Sequence, residues 1–260
     1  MSRFFVQSSA ITEDQVKITG SDANHIARVL RFRVGETVTV CDMQRREYLC
    51  ELLQVTPELV VAQILSSQEN DTEPTYRAIL YQALPKGDKM DTLIQKAVEC
   101  GVSEIVPFAS EHCVVKLDAA GGKKKQERWQ KIAESAAKQS GRGTVPAVRE
   151  PIPYAQAVTE TSQAQVGFLC YEGERSLALG QLLPDQAEQI AFLIGPEGGF
   201  SQKEVALAKE LGVPSVGLGK RILRTETASS FVLSSLVFRY ELQGDGGALR
   251  QIADFSKKKL

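Results

Sequence analysis

The sequence predicts an α/β protein: a small β-rich N-terminal domain, then a larger domain built on a mainly parallel sheet. Two observations carry this reading. Up to about residue 70, short strand-like segments follow one another between Gly, Asp, Asn and Pro signals, as in a small barrel. From Tyr76 onward, strand-like and helical patterns alternate, which is the grammar of a parallel sheet with crossover helices.

In the N-terminal part, "VGETVTVCD" (34–42), "REYLCELLQV" (46–55) and "ELVVAQIL" (58–65) read as strands. One helix interrupts them, "SDANHIARVL" (21–30), with Ser21 or Asp22 as its cap. The polar stretch "SSQENDTEPT" (66–75) ends at a proline and reads as a linker. Beyond it "YRAILYQAL" (76–84) is a strand. "KMDTLIQKAVECG" (89–101) is a helix with Met90, Leu93, Ile94, Ala97 and Val98 on one face and Gly101 just past its end. A strand "EIVPFAS" (104–110) and a helix from Arg128 to Ser140, with the only tryptophan, Trp129, come next. "AQVGFLCYE" (164–172), "QIAFLIG" (189–195) and "PSVGLG" (214–219) are three further strands, the last two separated by a helix from Lys203 to Leu211. The expected boundaries are 1–72, 73–242 and a flexible tail, 243–260.

Three strands end in loops of small or charged residues: "ALPKGDKMD" (83–91), "GPEGG" (195–199) and "GLGKRILRTETASSF" (217–231). In open parallel sheets, ligands sit beyond the carboxyl ends of the strands. The second loop follows an apolar run, Ile190 to Ile194, and precedes a helix start. There Ser201 and Glu204 have the spacing of a capping box, and Phe200 and Val205 that of a hydrophobic staple. It has neither the lysine of a P-loop nor a G-x-G-x-x-G pattern, and carries Glu197 where phosphate would bind. An acid there disfavours a polyphosphate and leaves room for a neutral or cationic ligand. A purely structural turn is the other reading. In the third loop, Arg221, Arg224, Thr225, Glu226 and Thr227 form a dense polar cluster before a helix whose early positions are small.

Composition narrows the classes. Hydrophobic residues make up 43% and charged residues 24%, as in an ordinary globular protein. No apolar run approaches the ~20 residues that span a bilayer, and the start lacks the apolar core of a signal peptide, so the expected place is the cytoplasm. Five cysteines without a C-x-x-C pair and only two histidines argue for reduced thiols and against a metal centre. The net charge of -1 gives no global attraction to nucleic acid, but Arg28, Arg31, Arg33, Arg45 and Arg46 cluster near the start, and Lys123, Lys124, Lys125, Arg128 and Lys131 form a second run. Such patches track phosphates; a solvated face is the alternative.

Taken together, "IGPEGG", "LGKRILRTETA", "PKGDKMDTLIQKAVECGV", "QSGR" (139–142) and "ANHIARVLR" (23–31) resemble the motifs of the ribosomal RNA small subunit methyltransferase E family, of the trefoil-knotted SPOUT superfamily. The resemblance runs to about residue 242 and implies a SPOUT-type knotted α/β domain preceded by a PUA-like RNA-binding β-barrel. It implies methyl transfer from S-adenosylmethionine to N3 of a uridine in 16S ribosomal RNA, with naked RNA or the assembled small subunit as substrate, and a homodimer. It places the cofactor on Leu169, on Ile194, Gly195, Pro196, Glu197, Gly198 and Gly199, and on Leu218, Gly219, Ile222, Leu223, Arg224 and Thr227. Uridine N3 must lose a proton, so Arg224 is expected to stabilise the resulting negative charge and Glu226 or Glu197 to act as base. Arg142, Lys86 and Lys89 are expected to hold RNA phosphates beside the pocket; Arg28 and Arg31, at helical spacing on one face, would do so in the first domain. A non-catalytic RNA-binding assembly factor, and a related enzyme acting on another base or on ribose, are the competing readings.

Overall fold

The computed structural model describes residues 2–115 and 118–243, so the expected tail lies outside the described residues apart from Gln243. The chain divides into two compact units. The first comprises residues 1–73 together with 134–145; the second holds the remainder.

The first unit is a five-stranded sheet. Its strands are β1 (Arg3–Phe5), β2 (Gln15–Thr19), β3 (Thr37–Cys41), β4 (Arg46–Val55) and β5 (Leu59–Glu69), in the order β1-β3-β4-β5-β2. All pairings are antiparallel except β1 with β3. Alternation along the strands turns Val16, Ile18, Val38, Val40, Cys50, Leu52, Val60 and Ala62 into one core that includes Phe4 and Ile26.

Four expectations about this unit are corrected. The helix α1 (Gly20–Asn24) is capped by Thr19 rather than Ser21 or Asp22, and its continuation over His25–Leu30 is a π-helical turn. Arg31 then adopts a left-handed conformation (φ 55°), outside the helix, so Arg28 and Arg31 do not share a regular helical face, although both are exposed. The stretch 66–75 is not a linker throughout. Ser66 to Glu69 complete β5, and Asn70 Nδ2 donates to Glu47 (3.0 Å). Glu73 accepts from both Arg142 Nε (3.1 Å) and Nη2 (2.6 Å) and from the N–H groups of Gly143 (3.0 Å) and Thr144 (3.2 Å). Arg142 is therefore not the phosphate ligand expected of it: its side chain is 4% exposed and its guanidinium is engaged by a buried carboxylate.

The second unit is a wholly parallel seven-stranded sheet. Its strands are β6 (Arg77–Ala83), β7 (Glu104–Ala109), β8 (Ala147–Val148), β9 (Ile152–Pro153), β10 (Val166–Cys170), β11 (Gln189–Ile194) and β12 (Ser215–Val216). The order is β12-β10-β11-β6-β7-β8, with β9 also on β7, and the central strands read as continuous apolar runs because both faces are covered. In α2 (Lys89–Glu99) the buried residues are the five expected, and a Schellman motif ends it: Gly101, at φ 82°, donates to Val98 O, and Val102 to Ala97 O. The helix α3 (Ala119–Ser140) starts nine residues before the expected Arg128 and takes in the lysine run, with Trp129 buried on it. Then follow α4 (Tyr154–Ser162), α5 (Leu179–Leu182), α6 (Gln202–Glu210) and α7 (Thr225–Val237). Ser201 and Glu204 form the expected capping box on α6, and Phe200 stacks on Phe108 and packs tilted against Tyr154, with centroids 6.2 and 5.8 Å away.

After the edge strand β12, the chain turns back to lay α7 on α2, β6 and β11. The returning segment is held on one side by the loop after β10, where Gly217 donates to Leu177 O, and on the other by Gly195, whose carbonyl accepts from Thr225 Oγ1 (2.7 Å). Gly217 cannot carry a side chain, since a Cβ would stand 2.7 Å from Glu174 O.

Removing one partner of a buried ion pair leaves an uncompensated charge, so Arg142→Ala should cost about 3–5 kcal/mol in urea unfolding at neutral pH. Burial pushes the Glu73 carboxyl up, but hydrogen bonds and charge from Arg142 outweigh it and hold the group below its usual range. Its native value thus lies below the unfolded one of about 4.3. The stabilisation is complete above that pH and lost as pH falls through the native value, so the gap between wild type and variant should narrow in acid; a gap constant with pH would count against this pairing.

Candidate functional site

Because every pairing in the second sheet is parallel, the loops after β6, β7, β10, β11 and β12 emerge at one end of it. A cleft lies among three of them, with about 660 Å³ of empty space between its walls, open mouth included. The loop after β11 contributes Ile194, Gly195, Pro196 and Gly199, and the loop after β12 contributes Leu218, Gly219, Ile222 and Leu223, eight of the expected cofactor residues. Thr225 and Ala228 of α7 also line it. Ile222 is 79% exposed and presents its apolar side chain to the cleft.

Five other expected residues do not line this cleft. Leu169 is fully buried in β10, one position before the lining Cys170. Arg224 and Thr227 are exposed at the start of α7, where Arg224 is the N-cap residue. Gly198 lies against His112, whose Nδ1 is 3.0 Å from Gly198 O and 3.1 Å from Gly199 O. That geometry requires the Nδ1–H tautomer and ties the loop after β7 to the loop after β11.

Glu197 points into a second, charged cluster. Lys89 Nζ donates to Glu197 Oε1 at 2.7 Å and lies 3.7 Å from Glu226 Oε2, while the Lys86 N–H donates to Glu197 at 3.2 Å. Burial works to raise the Glu197 carboxyl, but the hydrogen bonds from Lys89 and the backbone prevail and hold it below the usual carboxylate range. The Lys89 ammonium is pushed up in turn, first by its hydrogen bond to Glu197. Glu226 Oε2 is buried without a hydrogen bond. Of the two expected phosphate ligands here, Lys86 has an exposed side chain, whereas Lys89 is held by Glu197.

Two groups went unnoticed in the sequence reading. Gln82 is fully buried in β6, and its Nε2 donates to Thr225 Oγ1 (2.9 Å), which in turn donates to Gly195 O. A glutamine in the otherwise apolar run "AILYQAL" was the available signal. The loop after β10 adds Tyr171, Glu172, Glu174 and Arg175 to the cleft. Among the described residues no group of three or more His, Cys, Asp or Glu is placed to hold a metal ion, and no helix is long and apolar enough to cross a membrane.

Residues 72–237 match the RNA methyltransferase domain model, and residues 18–65 match the RNA methyltransferase PUA domain model. Ribosomal RNA small subunit methyltransferase E of Bacillus subtilis is 35% identical over 259 residues, covering 94% of this chain and 100% of that protein. The chain belongs to the ribosomal RNA small subunit methyltransferase E family. The Mesomycoplasma hyopneumoniae protein of the same name is 34% identical, over 91% of this chain and 99% of that one. The crystal structure of the Neisseria gonorrhoeae protein of this name, bound to S-adenosyl methionine, superposes with a TM-score of 0.82 at 34% identity, over 91% of this chain and 97% of that one. The expected fold, a PUA-like domain followed by a SPOUT-type methyltransferase domain, is thus the family's own.

In this family member the bridge through Thr225 ties the strand core to the cleft. Thr225→Val keeps the shape but strips the Gly195 carbonyl of its donor and Gln82 of one acceptor, which should cost about 1–3 kcal/mol in chemical denaturation. Thr225→Ser, which keeps the hydroxyl, should recover most of that loss.

Proposed function

We propose that this protein transfers a methyl group from S-adenosylmethionine to N3 of a uridine in 16S ribosomal RNA. The observation that carries the reading is the juxtaposition of the three-loop cleft with the cluster of Arg224, Glu226, Lys89 and Glu197 at the start of α7. The cleft's chemistry fits the cofactor: apolar walls from Leu218, Ile222 and Leu223 suit an adenosyl group, no phosphate cradle is present, and acids from the loop after β10 suit a cation. Glycines at 195, 199, 217 and 219 line the cleft without side chains, so a ligand can approach the main chain closely there. When bound, the cofactor supplies an electrophilic methyl group.

The chain's own residues then have separable tasks. Ile194, Gly195, Pro196 and Gly199 with Leu218, Gly219, Ile222 and Leu223 hold the cofactor, Glu197 and Gly198 hold the loop in place, and Leu169, Arg224 and Thr227 support that site from behind and from its rim. Arg224, exposed and fixed at a helix N-cap, stabilises the negative charge that N3 deprotonation leaves on the pyrimidine ring. Glu226 is the better placed base: its Oε2 makes no hydrogen bond, whereas Glu197 is occupied by Lys89 and the Lys86 N–H. Glu197 orders the loop. Lys86, and Lys89 once RNA competes for it, meet phosphates near the pocket, while Arg28 and Arg31 do so from the N-terminal domain (residues 1–72). The methyltransferase domain (73–242) acts as a homodimer, favoured by the exposed Phe231, Phe238 and Leu242 on α7 and its continuation. Its place is the cytoplasm, with ribosomal RNA as partner. The knot is formed by the segment returning from β12 to α7 between the loops after β10 and β11.

Labelled cofactor and small ribosomal subunits lacking the modification should give 3-methyluridine with wild type, and a kcat lower by about 10²–10³ with Arg224→Ala. Glu226→Gln should lower kcat with cofactor affinity kept, and Glu197→Gln should act mainly on cofactor affinity. Label on another nucleoside, or none with intact cofactor binding, would overturn the assigned reaction.

A further inference from the structure

The two acids that the loop after β10 brings to the cleft differ in what they do. Glu174 is committed to its own turn: its Oε1 accepts from the Ser176 N–H (2.6 Å), the Ser176 hydroxyl (2.5 Å) and the Leu177 N–H (3.2 Å). The Ser176 hydroxyl first, and those backbone donors next, hold its carboxyl down at about 2. Glu172 has no such employment. It lines the same cleft, is exposed, and makes no hydrogen bond or ion pair among the described residues.

Its placement is nevertheless definite. A Cβ on Gly199, which sits at φ 67°, would stand 3.3 Å from Glu172 Oε1 and 3.6 Å from its Cδ, so the carboxylate lies against the bare backbone of the loop after β11. The cations of the cleft are Arg175 and Arg221, and neither lies within 4.0 Å ion-pairing distance of Glu172. Arg175 is directed to Gly219 O, at 3.5 Å. The remaining walls are apolar side chains and main chain, joined by the side chains of Tyr171, Glu174 and Thr225. A carboxylate on the cleft wall with no ion-pair partner among the described residues is a receptor for a cation on the ligand.

We propose that Glu172 reads the sulfonium charge of S-adenosylmethionine, so that the pocket prefers the methyl donor over its uncharged thioether product, S-adenosylhomocysteine. The inference rests on the cleft being the cofactor site. Attraction present before transfer and absent after it would also favour product release, because the two ligands differ at the sulfur by one methyl group and one unit of charge. Gly199 is part of the device, since any side chain there would crowd the carboxylate away from the cleft.

Titration calorimetry of the full chain with each ligand tests this directly. Glu172→Gln should weaken S-adenosylmethionine binding about fivefold and S-adenosylhomocysteine binding less than twofold, in the range of partly exposed ion pairs. Glu172→Asp should restore part of the preference, and circular-dichroism melting should find both variants folded. With wild type alone, raised salt should weaken binding of the donor more than that of the product. Equal loss for both ligands in a folded variant, or no loss for either, would overturn the proposal. Wild type that binds neither ligand would instead sink the cleft as the cofactor site.

Discussion

The hydrogen bonds of the Thr225 hydroxyl are the constraint on which the site depends. One atom receives a proton from Gln82 in the middle of β6 and gives its own to the carbonyl of Gly195 at the end of β11. It therefore fixes the start of α7 to two central strands of the sheet. Everything functional near that point is counted from it: Arg224 precedes Thr225, Glu226 follows it, and the glycine loop begins at the residue it holds. The bridge is fully buried at Gln82, so its alternative is an unsatisfied polar group rather than a hydrated one. That asymmetry makes the register of α7 against the loop stiff, which a methyl transfer requiring close alignment of donor and acceptor demands.

Around this anchor the charged residues fall into two populations, and sequence type does not distinguish them. Arg142 and Arg224 are both arginines in glycine- or threonine-flanked loops. One is buried against Glu73, while the other stands exposed on a helix cap. Glu174 and Glu172 are two residues apart, yet one closes a turn and the other faces the cleft. Glu197 is held by a lysine 108 residues away in sequence, and only the parallel sheet, which puts the loops after β6 and β11 side by side, makes that pair possible. Local sequence carries no information about such partners.

What was legible followed from periodicity and capping. The buried face of α2, the capping box on α6, the strand 46–55 and the next strand as far as residue 65 are all written in short-range pattern. The start of α3 was not, because "AAGGKKK" combines two glycines with like charges and has poor helix propensity. Tertiary packing overrides it there: Gly122 is buried, its Cβ position in van der Waals contact with Pro151. The helix α4 was missed despite a clean signal, with Tyr154, Ala157, Val158 and Thr161 buried at helical spacing. The face shared by Arg28 and Arg31 failed for a geometric reason, since a π-turn and a left-handed residue break the α period on which the spacing argument rests.

The arrangement also explains why the glycine loop after β11 carries a glutamate where nucleotide-binding loops carry a lysine. In a P-loop the positive side chain must face the ligand, because the ligand is an anion. Here the loop's acid turns away from the cleft, and Lys89 and the Lys86 N–H receive it. Glu197 thus works as a tether between the loop after β11 and the first turn of α2, while His112 ties the same loop to the end of β7 through two carbonyls. The glycines, freed of anion binding, serve backbone access instead. A loop pinned on both flanks by side chains can afford flexible residues at its centre, and its main chain stays fixed even though the five residues from Gly195 to Phe200 other than Glu197 carry no charge or hydrogen-bonding side chain at all.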